Sequence, residues 1–201
     1  MFKNLCRIGF LAAIVTLPCV SNAAVITQLS GSAGLTLSND FETTLNNADV
    51  TFNGSAAFGA ASTWSDGTTP SGANGLVLSQ EDSPLVGALS SSRTAVGMWF
   101  GNDDFNYVFD VILEVYSGAS LLGSVNVVVN RNDKADQFIG LSSDTAFDSF
   151  HVIYQRPQAQ NLSIYIDDLY LGGSASVPES SGLILLALGM LGLVIRRKTS
   201  N

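Results

Sequence analysis

Cysteine is nearly absent from this chain of 201 residues: the two it has, Cys6 and Cys19, fall within the first 23 positions. Beyond them no disulfide, thiolate metal site or cysteine nucleophile is available. A domain built from the remainder must draw its stability from its core, or from a hard cation. Basic residues are also few, nine against 17 acidic ones, for a net charge of −8. Nucleic-acid binding needs clustered Lys and Arg, so that class is excluded. Histidine occurs once, as His151 among Phe150, Val152 and Ile153. With no Ser or Asp pattern beside it, it reads as a strand residue, not the base of a triad. The chain has no nucleophile elbow, no His-Glu-x-x-His pair and no phosphate-cradling glycine loop. Sustained helical periodicity and fixed-period repeats are missing too.

What is present is apolar and β-forming. Hydrophobic residues make up 46% of the chain, charged ones 13%, and there are 19 glycines. That is enough apolar material for a core, and a composition typical of β-rich proteins outside the cytosol. The length suits one domain with appendages.

Both ends read as appendages. Lys3 and Arg7 precede a short apolar run, Ile8 to Leu17, which Pro18 ends. Ser21-Asn22-Ala23 supplies small residues for cleavage between Ala23 and Ala24. Residues 1–23 are thus expected to be a signal peptide with a signal helix, too short to span a bilayer. At the other end stand Val177-Pro178-Glu179-Ser180, an apolar run from Gly182 to Ile195, and the basic cluster Arg196-Arg197-Lys198. The run of 14 residues measures about 21 Å as a helix. This expected transmembrane helix is short of the ~30 Å hydrocarbon core, as suits a transient stop, and the basic cluster holds its end in the cytoplasm.

The body, residues 24–176, keeps all the acidic residues except Glu179, and only four basic ones: Arg93, Arg131, Lys134 and Arg156. So acidic an exterior favours solubility and attracts cations. Alternation dominates. Tyr107, Phe109, Val111, Leu113 and Val115 share one face, with Asp110 and Glu114 on the other. Ser117-Gly118-Ala119-Ser120 is a turn, and Leu121 to Val129 the partner strand of a hairpin. Further strands are expected at Val50–Phe52, Gly75–Leu78, Arg93–Phe100, Phe138–Leu141, around Phe150, Val152 and Tyr154, and around Leu162, Ile164 and Ile166. Ser62 to Asn74 reads as a long exposed loop. Many short strands with polar turns predict an all-β fold, a single β-sandwich of jelly-roll type.

The C-terminal layout resembles the PEP-CTERM sorting signal of Gram-negative bacteria, with Ser180 in place of the second proline of the motif. The resemblance covers residues 177–201. It implies recognition around Pro178 and Glu179 by an exosortase after passage through the secretion machinery and signal peptidase. Removal of the tail would follow, with delivery to the cell surface or an extracellular polysaccharide matrix. In the body, the hairpin from Val111 to Val125, Phe138-Ile139-Gly140-Leu141-Ser142-Ser143-Asp144 and the closing Ile166-Asp167-Asp168-Leu169 resemble PEP-CTERM surface proteins. The closing pattern also resembles galactose-binding-like jelly rolls, which include many carbohydrate-binding modules. That resemblance implies a structural Ca²⁺ shared by an early acidic residue, here Glu42 in Asp40-Phe41-Glu42, and a late one, Asp167. Adjacent strand residues face opposite ways, so only one of Asp167 and Asp168 is expected to point into such a site.

Other candidates come from the residues alone. Asn102-Asp103-Asp104 follows Trp99-Phe100-Gly101 and reads as a turn, or as a cation- or sugar-binding loop. Asp133, Asp136 and Asp144 lack the glycine and closing glutamate of an EF-hand. Exposed aromatics can stack on sugar rings. Trp64 lies in the long polar loop and is the expected glycan contact, and Tyr165 and Tyr170 flank the last strand. Trp99, between Met98 and Phe100, is expected in the core. The expected function is that of a non-enzymatic surface or matrix protein associated with exopolysaccharide. A calcium-dependent carbohydrate-binding module is the alternative, and a polysaccharide-acting enzyme the third reading.

Overall fold

The computed structural model describes residues 23–53, 57–60, 69–78, 84–102, 108–132, 134–155 and 164–174. The signal peptide and the sorting segment lie outside the described residues, and so does Trp64. The described chain is all-β. Its strands are β1 (Ile26–Gln28), β2 (Thr36–Asn39), β3 (Val50–Phe52), β4 (Ala57–Ala60), β5 (Asn74–Leu78), β6 (Leu85–Asn102), β7 (Asp110–Ser117), β8 (Ser120–Val128), β9 (Gln137–Gln155) and β10 (Ile164–Ser174). All pair antiparallel in one hydrogen-bonded sheet ordered β4-β5-β10-β6-β9-β7-β8, with β1 on β9, β2 on β10 and β3 on β6.

Two very long strands bend this sheet. β6 has 18 residues and β9 has 19, against about six for an ordinary strand. β6 advances from Ala88 to Arg93 while β9 moves only from Ser149 to Phe147; β9 then advances from Phe147 to Ser142 while β6 moves from Arg93 to Ala95. Such shifts turn a corner and let one strand serve two half-sheets. The buried side chains record the switch. β6 buries odd-numbered Leu85, then even-numbered Val96, Met98 and Phe100; β9 buries Ile139, Leu141 and Phe147, then Phe150, Val152 and Tyr154. One half-sheet comprises β3, β7, β8 and the adjoining halves of β6 and β9. The other holds β10, β5, β4, β2 and β1 with the remaining halves. A single apolar cluster joins them, with Phe52 edge-on to Phe150 at 6.0 Å and Phe100 edge-on to Tyr154 at 6.4 Å.

The expected hairpin forms as β7 and β8, with alternating burial along β7. Gly118 has φ 56° at the first position of its two-residue loop, a conformation that type II′ turns reserve for glycine. Two expectations are corrected. The segments predicted at 138–141 and around 150–154 are one strand, and β6 starts eight residues before Arg93. The polar stretches, Ser90 to Thr94 and Ser142 to Ser149, lie at the corner as register shifts within strand, held by the pairs Ala88 with Ser149, Arg93 with Phe147 and Ala95 with Ser142.

Candidate functional site

With Val96, Met98 and Phe100 in the core, Gly97 and Trp99 face the opposite side of β6. Trp99 is therefore half-buried on the outer face, not in the core as its apolar neighbours suggest. Phe138 lies directly across from it on β9, and Tyr170 of β10 across from Gly97. A Cβ on Gly97 would strike the Phe138 ring and one on Gly140 would come within 2.6 Å of it, so these glycines let the ring lie flat on the sheet. Trp99 meets Phe138 edge-on at 5.5 Å, and Phe138 meets Tyr170 at 6.4 Å. The three rings form one outward aromatic patch. Tyr165, by contrast, is 1% exposed and offers no surface to a sugar.

A hydrogen-bonded chain runs from this patch to the loop before β5. The Tyr170 hydroxyl donates to Asp168 Oδ2 at 3.1 Å. Burial and the Asp168 charge raise its pKa above the ordinary 10.0. The Ser71 hydroxyl donates to Asp168 Oδ1 at 2.6 Å, and the Ser71 N–H to Asp167 Oδ2 at 3.3 Å. The Asp168 N–H donates to Asp167 Oδ1 at 2.8 Å. Glu42 holds the same loop from the other side: its Oε1 accepts the N–H groups of Ala73 and Asn74, each at 2.9 Å. Gly72, with φ 56°, passes so close under the Glu42 carboxylate that a Cβ would overlap it.

Both Asp167 and Asp168 thus turn toward one loop, although adjacent strand residues ordinarily face opposite ways. The pairing register shifts between Asp167 and Tyr170, and Asp168 has φ 47°. This bulge breaks the strict alternation of a strand, and every residue from Tyr165 to Leu169 is buried. Burial first, then the Asp168 charge, push the Asp167 carboxyl up from 3.8 to about 7. The N–H bonds from Asp168 and Ser71 work against that rise, and Glu42 adds to it.

Glu42 and Asp167 are therefore brought to one place, on either side of residues 71–74. Calcium requires six to eight oxygens converging on one point. Here the carboxylates accept bonds from backbone N–H groups and from the hydroxyls of Ser71 and Tyr170. Among the described residues no three His, Cys, Asp or Glu side chains converge on a metal position. As arranged, this donor set does not fit calcium.

Beside the aromatic patch lies an open cleft of about 390 Å³, lined by Trp99 and Tyr170, by the carboxylates of Asp136 and Asp168, and by Ser32 and Thr69. Asp136 is oriented by the side-chain amides of Asn130 and Asn132, each 2.8 Å away. The cleft presents ring surface and hydroxyl, indole and carboxylate groups within one concavity. Asp103 and Asp104 of the candidate loop lie outside the described residues; Asn102 ends β6. Ala23 and Ala24 precede β1, while residues 1–22 and the motif Val177 to Ser180 with Arg196, Arg197 and Lys198 lie outside the described residues. His151 sits on the other half-sheet against the Tyr116 ring at 4.3 Å, and burial lowers its pKa. The composition signalled aromatics and acids, but nothing local marked Trp99, Ser32 and Asp136 as neighbours.

No protein-family model matches the chain, and no curated protein does. Solved structures similar to it include the K2 cleaved adhesin domain of Lys-gingipain, with 12% identity over 73% of this chain and 99% of that one at a TM-score of 0.43. The C-terminal family 22 carbohydrate-binding module of Clostridium thermocellum Xyn10B shows 14% identity over 73% and 99% of the two chains, with a TM-score of 0.39. A family 29 carbohydrate-binding module shows 14% identity over 77% and 95%, with a TM-score of 0.38.

Proposed function

We propose that this chain is a non-enzymatic carbohydrate-binding protein of the cell exterior, whose β-domain, a jelly-roll sandwich of galactose-binding-like type, holds glycan in the Trp99–Tyr170 cleft. The observation that carries this is the cleft itself: aromatic faces set beside oriented carboxylates and hydroxyls are what a sugar's apolar face and hydroxyl rim require. Its carboxylates are each held by other donors, an arrangement for orienting a ligand. The Gly-backed Phe138 ring stiffens the platform, so little side-chain freedom is lost on binding.

The test is a binding titration of the purified chain against neutral polysaccharides. Trp99→Ala lowers affinity by about tenfold or more, the loss expected of a central aromatic anchor, with the fold retained. Wild-type affinity retained by the variant, or no neutral glycan bound by the wild type, would overturn the proposal.

The route to the exterior is a proposal resting on sequence: export by the signal peptide 1–23, then exosortase sorting at Pro178 and Glu179. It would place a glycan-binding domain in an exopolysaccharide matrix, which gives the cleft a ligand to meet.

A further inference from the structure

A second depression lies farther along the same two strands. It is a polar cavity of about 270 Å³ lined by Thr36, Ser38, Asp49, Arg93, Gly172 and Gly173. Arg93 Nη2 pairs with Asp49 Oδ1 at 3.0 Å. Asp49 Oδ2 accepts the Ser38 hydroxyl at 3.3 Å. The Arg93 Nε is buried and has no hydrogen-bond partner among the described residues. A buried, unmatched donor on a guanidinium is costly, and calls for an acceptor that comes with a ligand or solvent.

The chemistry of this cavity is neutral. The guanidinium and carboxylate cancel, so it neither attracts an anion nor repels an uncharged chain. It offers charged donors and acceptors side by side with two hydroxyls, which suits adjacent sugar hydroxyls. Its position matters equally. Tyr170 lines the cleft and Gly172 the cavity; Ser32 lines the cleft and Gly34 the cavity, on the same β1–β2 connection. On β10, Tyr170 pairs with Gly97 and Ser174 with Arg93. Trp99 and Arg93 are six residues apart on β6, a separation of about 20 Å at most along a strand.

We propose that the Arg93–Asp49 cavity is a second contact point for the glycan held in the Trp99–Tyr170 cleft, and that the ligand is an extended neutral polysaccharide spanning both. This rests on the carbohydrate reading of the cleft and adds the ligand's length and charge. Anionic chains are disfavoured by Asp136 and Asp168 at one end and gain nothing from a neutralised Arg93 at the other.

The experiment titrates the full chain with ladders of neutral gluco- and manno-oligosaccharides from short to long. Two variants probe the cavity. Arg93→Lys keeps the charge and removes the Nε donor; Thr36→Trp fills the cavity from an exposed position and leaves both residues of the ion pair unsubstituted. Wild-type affinity is expected to rise with length. Each variant then loses about tenfold on the longest members and nothing on the shortest, while Trp99→Ala loses affinity for all. If affinity is independent of length, or both variants bind long chains like wild type while Trp99→Ala still fails, this inference falls and the cleft reading stands. If no ladder binds, both fall.

Discussion

Asp167→Asn should alter how stability depends on pH, because the wild-type carboxyl is buried among other acids. In the unfolded chain this group titrates near 3.8; in the fold it is pushed up to about 7. The folded state therefore holds the proton more tightly between those values. The stability linked to this group is complete below about pH 4 and is lost as pH rises toward 7. At about 1.4 kcal/mol per pH step the full loss would be about 4 kcal/mol. Local relaxation gives the cluster an effective dielectric well above that of a dry interior, so about 2 kcal/mol is the better expectation. For a domain of this size that is about 4–8 °C in Tm. The amide keeps an acceptor for one N–H and cannot ionise, so subtracting the variant's curve from the wild type's isolates this group from the general acidic repulsion. The assay is thermal melting of both proteins from pH 4 to 7.5, with added Ca²⁺ and with chelator. The difference should shrink steadily with rising pH, to the wild type's disadvantage, and chelator should leave both melts in place. Parallel curves would refute the electrostatic account. A wild-type melt that chelator lowers, with Asp167→Asn unresponsive, would show that calcium does assemble at Glu42 and Asp167.

Three further outcomes follow, one from the same loop and two from the chain's end. Gly72→Ala should lower stability by about 1–3 kcal/mol, seen as a lower melt, since it combines a left-handed backbone with a collision against Glu42; an unchanged melt would mean the Glu42 clamp contributes nothing. Intact mass of the protein recovered from cells and medium should fit a chain starting at Ala24 and ending near Val177 to Ser180. Pro178→Ala with Glu179→Ala should leave the tail in place, and a wild-type chain running to Asn201 in the membrane would remove the sorting proposal.

The hairpin could be read from sequence because its signals are local: Val111, Leu113 and Val115 are buried in alternation with half-buried neighbours that include Asp110 and Glu114, and a glycine marks the turn. The two faces of β6 could not. In Ala95-Val96-Gly97-Met98-Trp99-Phe100 no polar residue marks the outside, because the outside there is itself aromatic and glycine. The period-of-two signal is then erased at the very strand that carries the cleft. The polar corners of β6 and β9 misled in the opposite way. Ser90 to Ser92 precedes the strand expected from Arg93, yet it continues the same strand through a register shift. The meeting of Glu42 with Asp167 was implied by resemblance, while its chemistry, carboxylates bonded to a loop's N–H groups, depends on where residues 71–74 run and leaves no local mark.

The bulge in β10 links the buried charge to the outward cleft. Before it, the even-numbered Ile166 enters the core; after it, the odd-numbered Leu169 and Leu171 do. Had the strand kept its alternation, Tyr170 would point inward with Ile166, and its hydroxyl would need a partner within an apolar cluster. The bulge instead turns Tyr170 outward beside Phe138 and brings Asp168 round to accept its hydroxyl. The left-handed backbone at Asp168 and the crowding of acids at Asp167 are thus local costs of an aromatic surface facing solvent. A sequence optimised for stability alone would avoid these costs by keeping the regular strand.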